Sequence, residues 1–118
     1  MLPIITEIKS REEYSELLKE NPGLFFVKFG ADWCKPCKII EDDVKKEFNS
    51  MPNNVQCAII DIDENLDVFA FLKKKKMFQG IPAILCYQKG NDSYIPDEIH
   101  NNSNKEELKE FFIRCKEL

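Results

Sequence analysis

Two cysteines three positions apart, Cys34 and Cys37, sit in Trp33-Cys34-Lys35-Pro36-Cys37-Lys38, just after the apolar run Phe25 to Phe29. The local reading is a buried strand, a short turn, and a helix that starts at Cys34. A thiol at a helix N-terminus faces unpaired backbone N–H groups and the positive end of the helix dipole, and both favour thiolate. Residues i and i+3 share a helical face, so the second sulfur can close a disulfide with the first after a small adjustment. That is the chemistry of thiol–disulfide exchange. A C-x-x-C pair also serves zinc binding and haem attachment, but the chain has no second C-x-x-C and no paired histidines at ligand spacing.

The elements that must hold this stretch follow from hydrophobic periodicity. Ile4 to Ile8 is a short β-prone segment. Ser10-Arg11-Glu12-Glu13 reads as a capping box opening a helix with Tyr14, Leu17 and Leu18 as its apolar stripe, stopped by Asn21-Pro22-Gly23. Leu24 to Phe29 is a nearly continuous apolar strand, which suits a sheet covered on both faces. The helix from Cys34 runs to about Phe48 with Ile39, Ile40, Val44 and Phe48 inward, and Val55 to Ile62 is a second buried strand. Leu66 to about Met77 is a further helix with Leu66, Phe69, Ala70 and Leu72 as its apolar side; Lys73 to Lys76 is its solvated basic end. Ala83 to Gln88 is a strand, Lys89-Gly90-Asn91-Asp92 a hairpin turn, and Ser93 to Ile99 an edge strand interrupted by Pro96. Ser103-Asn104-Lys105-Glu106 is a second capping box, and Leu108, Phe111, Phe112 and Cys115 form one face of the last helix. The order β-α-β-α-β-α-β-β-α implies an α/β fold with a central mixed sheet of about five strands, parallel early and antiparallel late, flanked by four helices.

At 118 residues the chain is read as a single domain, residues 1–118. Its 43% hydrophobic and 32% charged content is that of an ordinary globular protein, and a net charge of −4 argues against nucleic acid or an anionic membrane as the main partner. The N-terminus has no basic region followed by an apolar stretch, and no run approaches membrane-spanning length. Five cysteines, three of them (Cys57, Cys86, Cys115) in apolar segments, do not look like a secreted disulfide framework. A reducing, cytoplasmic compartment is the expectation, with those three thiols as small buried hydrophobes.

At Trp33-Cys34-Lys35-Pro36-Cys37-Lys38, followed later by Gly80-Ile81-Pro82, the chain resembles the thioredoxin family over essentially its whole length. The resemblance implies the thioredoxin fold and a thiol–disulfide oxidoreductase that reduces protein disulfides. It makes Cys34 the nucleophile and Cys37 the resolving thiol of a redox-active Cys34–Cys37 disulfide. It makes Trp33, Ile81 and a cis Pro82 the substrate groove, with Trp33 shielding the dithiol and Ile81 offering its backbone to an extended substrate segment. It also implies no bound cofactor, recharging from NADPH through a thioredoxin-reductase-type flavoprotein, and a monomer acting in electron transport and cell redox homeostasis.

Several positions depart from the family pattern. Lys28 stands where a buried acid is usual, and Ile59 where that acid's lysine partner is usual. A buried amine is pushed toward its neutral form and could then take the proton of Cys37; alternatively Lys28 snorkels past a sheet edge to solvent. Lys35 replaces the common glycine between the cysteines and adds positive charge beside Cys34, which favours its thiolate and a more oxidising couple. Asp42 replaces a kink-making proline, so the helix is expected to run straighter. The loop Ile99-His100-Asn101-Asn102 lacks the glycine that usually lines the groove, and His100 reads as a solvated loop residue. A second function class remains at this level, a thioredoxin-like scaffold that binds partners with weak redox activity. Retention of both cysteines weighs against it.

Overall fold

The strand Leu24–Gly30 (β1) is buried at five consecutive positions, Phe25 to Phe29, because it is central in its sheet and covered on both faces. In the computed structural model, which describes residues 1–118, helices Arg11–Lys19 (α1), Lys35–Asn49 (α2), Leu66–Lys74 (α3) and Lys105–Lys116 (α4) flank four strands. The other strands are Val55–Asp61 (β2), Ala83–Gln88 (β3) and Glu98–His100 (β4), in the order β2-β1-β3-β4. β1 pairs parallel with β2 across the α2 crossover and antiparallel with β3, which pairs antiparallel with β4.

Alternation along β1 divides the core. Phe25, Val27 and Phe29 join Tyr14 and Leu18 of α1 and Val68 and Leu72 of α3 on one face. Phe26 joins Ile40, Val44 and Phe48 of α2 and Phe111 and Phe112 of α4 on the other. Lys28, two residues from Phe26, shares that second face, beneath α2.

Two expected strands contract, and both for the same reason. Ile4–Ile8 forms only a bridge, Ile5 with Ala58, since the Pro3 carbonyl accepts from the Gln56 side chain and the Ile8 N–H donates to Asn65 Oδ1. Only the end of Ser93–Ile99 joins the sheet: the Gln88 N–H donates to Asp97 Oδ2, and Pro96 has no N–H to give. Side chains have taken the backbone groups that a ladder needs. The sheet therefore has four strands instead of about five.

Helix ends show similar adjustments. Ser10 caps α1, accepting from the Glu13 N–H at 3.1 Å. The last helix is capped by Asn104, not Ser103, with its Oδ1 accepting from the Glu107 N–H at 2.9 Å. α3 ends at Lys74, short of Met77, because Lys76 adopts a positive φ of 62° and the Met77 N–H turns back to the Leu72 carbonyl. Its buried face is Val68 and Leu72, while Leu66 and Ala70, expected inside, are exposed, as is Ile39 on α2. α2 is one unbroken α-helix through Asp42.

His100 is the main correction. It is the last residue of β4, paired with Ile84, and is only 4% exposed, its ring 5.9 Å from that of Phe111 on α4. Burial pushes its pKa below the usual 6.5, and its Nε2 has no hydrogen-bond partner. The unfolded chain therefore binds a proton at this residue that the folded chain resists. The resulting stability is complete above pH 6.5 and is lost as pH falls from there through the lower folded value. Urea unfolding from pH 7.5 to 5 is expected to show a steeper loss for the parent than for His100→Leu, by at most about 1.4 kcal/mol per pH unit. Parallel curves would mean that His100 is not the titrating group.

Candidate active site

Cys34 is the N-cap of α2, in extended conformation with φ −86° and ψ 105°, and its Sγ accepts from the Cys37 N–H at 3.2 Å. A sulfur in this place takes over the role of a capping oxygen, so any negative charge on it meets an otherwise unpaired donor. Pro36 falls in the first turn, where a missing N–H costs the helix nothing. Cys34 and Cys37 are joined by a disulfide, with their Cα atoms 5.3 Å apart. Cys34 is at the helix end as expected, yet only 5% exposed, and Cys37 is 4% exposed.

Three loops shelter the pair. The Ile81–Pro82 peptide is cis, and the Ile81 carbonyl oxygen lies 3.9 Å from Cys34 Sγ. Trp33, 65% exposed, is anchored by its indole N–H, which donates to Asp63 Oδ2 at 2.8 Å. Asp63 was not singled out from sequence. The available signal was its place just past the carboxyl end of β2, level with the dithiol strand, and that needs the register Gly30 to Asp61.

Lys28 does not snorkel past a sheet edge. β1 is central, Lys28 is 5% exposed, and none of the protein's ion pairs or side-chain hydrogen bonds involves it. It lines a cavity of about 240 Å³ together with Gly30, Cys37, Glu41, Ile59 and Asp61. A methyl group at Gly30 would sit 3.5 Å from Cys37 Sγ and 3.9 Å from Lys28 Cε, so the two side chains flank one bare Cα. Burial lowers the Lys28 pKa from its usual 10.5; the Glu41 carboxylate opposes that shift and Lys45 adds to it. Ile59, opposite Lys28 in the ladder, offers no charge to pair with. Lys35, at the first position of α2, is exposed.

The other thiols are elsewhere. Cys57, Cys86 and Cys115 lie in the core on the α2–α4 side; burial pushes Cys57 up to about 12, and a hydrogen bond with Cys115 together with burial pushes Cys86 up further. Raised in this way, the Cys57 and Cys86 thiols are poor nucleophiles. No three metal-ligating side chains converge anywhere, and no helix is long and apolar enough to cross a membrane.

A four-stranded mixed sheet that presents a dithiol at a helix cap, facing a cis-proline loop, defines a thioredoxin-fold disulfide-exchange protein. The family model for thioredoxin matches residues 5–114. The thioredoxin of Mycoplasma pneumoniae is 31% identical over 91 residues, covering 77% of this chain and 83% of that protein. Thioredoxin-2 of Saccharomyces cerevisiae is 30% identical over 89 residues, covering 75% and 81%. In fold, the X-ray structure of Fasciola hepatica thioredoxin superimposes with a TM-score of 0.73 over 94% of this chain and 99% of that one, at 24% identity. The chain belongs to the thioredoxin family. It is a thiol–disulfide oxidoreductase that reduces protein disulfides by dithiol–disulfide exchange, and the dithiol itself takes the place of a cofactor.

Proposed function

We propose that Cys34 is the attacking thiol and Cys37 the resolving one. The observation that carries this reading is the N-cap position of Cys34 with the Ile81 carbonyl beside its sulfur. The Cys34 thiolate attacks one sulfur of a substrate disulfide, forms the mixed disulfide and expels the other as thiolate. Cys37 loses its proton and attacks Cys34 Sγ, which closes the Cys34–Cys37 disulfide and releases the second substrate sulfur. Trp33, Ile81 and Pro82 form the groove that receives an extended segment of the substrate. Residues 1–118 act as one thioredoxin-like domain and as a monomer in the cytoplasm, contributing to electron transport and redox homeostasis. A thioredoxin-reductase-type flavoprotein returns the pair to the dithiol with electrons from NADPH.

Lys28 is the base for the resolving step. Its desolvated amine, across Gly30 from Cys37 and with no carboxylate in contact, is poised to take the Cys37 proton and to release it to solvent through the adjoining cavity, while the departing substrate thiolate takes its proton from solvent on the groove side. Lys35 stabilises the Cys34 thiolate and so the reduced form of the pair.

Three measurements test these roles. Insulin disulfides should be reduced in the presence of dithiothreitol, and Cys34→Ser should abolish turnover; turnover that survives the substitution removes Cys34 from the mechanism. In Lys28→Ala, resolution of a preformed mixed disulfide should slow by about tenfold or more near neutral pH and its rising limb should move to higher pH; superimposable pH profiles exclude Lys28. Lys35→Gly should make the couple more reducing by on the order of 10 mV, the size expected of one exposed charge. An unchanged or less reducing couple is the contrary result.

A further inference from the structure

We propose that Asn101 is a positioning residue that presents Ile81 to the substrate and thereby sets the register in which a protein disulfide meets Cys34. Asn101 follows directly on β4, in the loop that lacks the groove glycine of the family pattern. Its amide makes three hydrogen bonds, all to the loop before β3. Nδ2 donates to the Gly80 carbonyl at 2.9 Å and to the Pro82 carbonyl at 2.8 Å, and Oδ1 accepts from the Gln79 N–H at 2.9 Å. Both donors and the acceptor are matched, so the side chain is locked in one orientation and the loop with it.

The three bonds skip one residue. Carbonyls on both sides of Ile81 are occupied by Asn101, whereas no backbone hydrogen bond within the protein engages Ile81. The Ile81 carbonyl faces Cys34 Sγ, and its side chain is half-buried. An extended peptide that lies along this loop therefore finds the Gly80 and Pro82 acceptors taken and the Ile81 carbonyl open. Pairing one residue out of register would require breaking the clamp. A glycine in place of Asn101 could make none of these bonds. The inference rests on the roles given above to Cys34 and Ile81, and it adds that this chain fixes the loop with a side chain of its own.

The variants Asn101→Ala and Asn101→Asp separate the possibilities. Alanine removes all three bonds; aspartate keeps the shape and the acceptor but turns a carboxylate oxygen toward two carbonyls. In the reduction of insulin disulfides, both should raise KM about five- to tenfold, the worth of a disturbed hydrogen-bonded register, with kcat within about twofold of the parent. A small aromatic disulfide, with no peptide backbone to pair, should be reduced at the parental rate, and the equilibrium of Cys34–Cys37 with glutathione should not move. An unchanged KM for insulin overturns the proposal. So does an equal loss on both substrates with a shifted equilibrium, since that marks damage to the dithiol. A parent that reduces the small disulfide and not insulin overturns the groove assignment itself. A parent active on both, with variants that match it, overturns only the clamp.

Discussion

The site depends on the burial of β1 between two partner strands and two layers of helices. Being central, β1 fixes two registers at once, the pairing of β3 with β4 adds a third, and each delivers one piece of the site. Gly30 opposite Asp61 in the parallel pair sets the turn after β2 beside the turn after β1, and so Asp63 beside Trp33. Phe29 opposite Ala83 in the antiparallel pair brings the residues just before β3 level with those just after β1, and so Ile81 to Cys34. Ile84 opposite His100 carries the relation one strand further and puts Asn101 against that loop. A slip of one residue in any pairing would turn the strand's side chains to the wrong face, which Phe26 among the α2 and α4 aromatics and Phe25 beside Tyr14 and Tyr87 make prohibitive.

Placing a lysine in that strand runs against the same constraint. Lys28 lies on the face of β1 that carries the wholly buried Phe26, and it has no ion-pair partner. The structure accommodates it in two ways. The Lys28 stem runs beside the bare Cα of Gly30, and the cavity it lines includes the polar side chains of Glu41 and Asp61. Desolvation then outweighs the field of Glu41 and the amine's pKa falls. Desolvating an unpaired ammonium is costly, and that cost is what lowers the pKa of the amine. The same lowered pKa is what the role proposed for Lys28 in resolution requires.

Much of the architecture was legible in the sequence because periodicity and caps are local. The three long strands, the four helices, the Ser10 cap and the inward face of α4 all follow from spacing within a few residues. Local pattern was silent where backbone groups are claimed from afar. Asn65, fifty-seven residues from Ile8, and Asp97 at the end of the hairpin turned two expected strands into a bridge and a short stub. His100 reads as loop because β4 has only three residues, yet the α4 aromatics bury it. The dithiol and the cis proline were visible as motifs. Asp63 and Asn101 were not, since their roles exist only once the registers have been formed.

That division also sorts the site's properties by where they originate. The disposition of the sulfur at Cys34 is local: a helix cap, one backbone donor and a neighbouring lysine, all within four residues. The proposed groove lies at the ends of β1 and β3, and Asp63 and Asn101, just past the ends of β2 and β4, hydrogen-bond to it without bonding to either sulfur. Lys28 lies inside the sheet and lines the same cavity as Cys37, a cavity to which Trp33, Ile81 and Pro82 do not contribute. On the proposed assignments, the two supporting side chains, Asn101 for recognition and Lys28 for resolution, share no hydrogen-bond partner with each other. Sites without shared partners contribute almost independently. The lysine in the core can alter how the mixed disulfide is resolved without altering which proteins form one, and the asparagine at the groove can do the reverse.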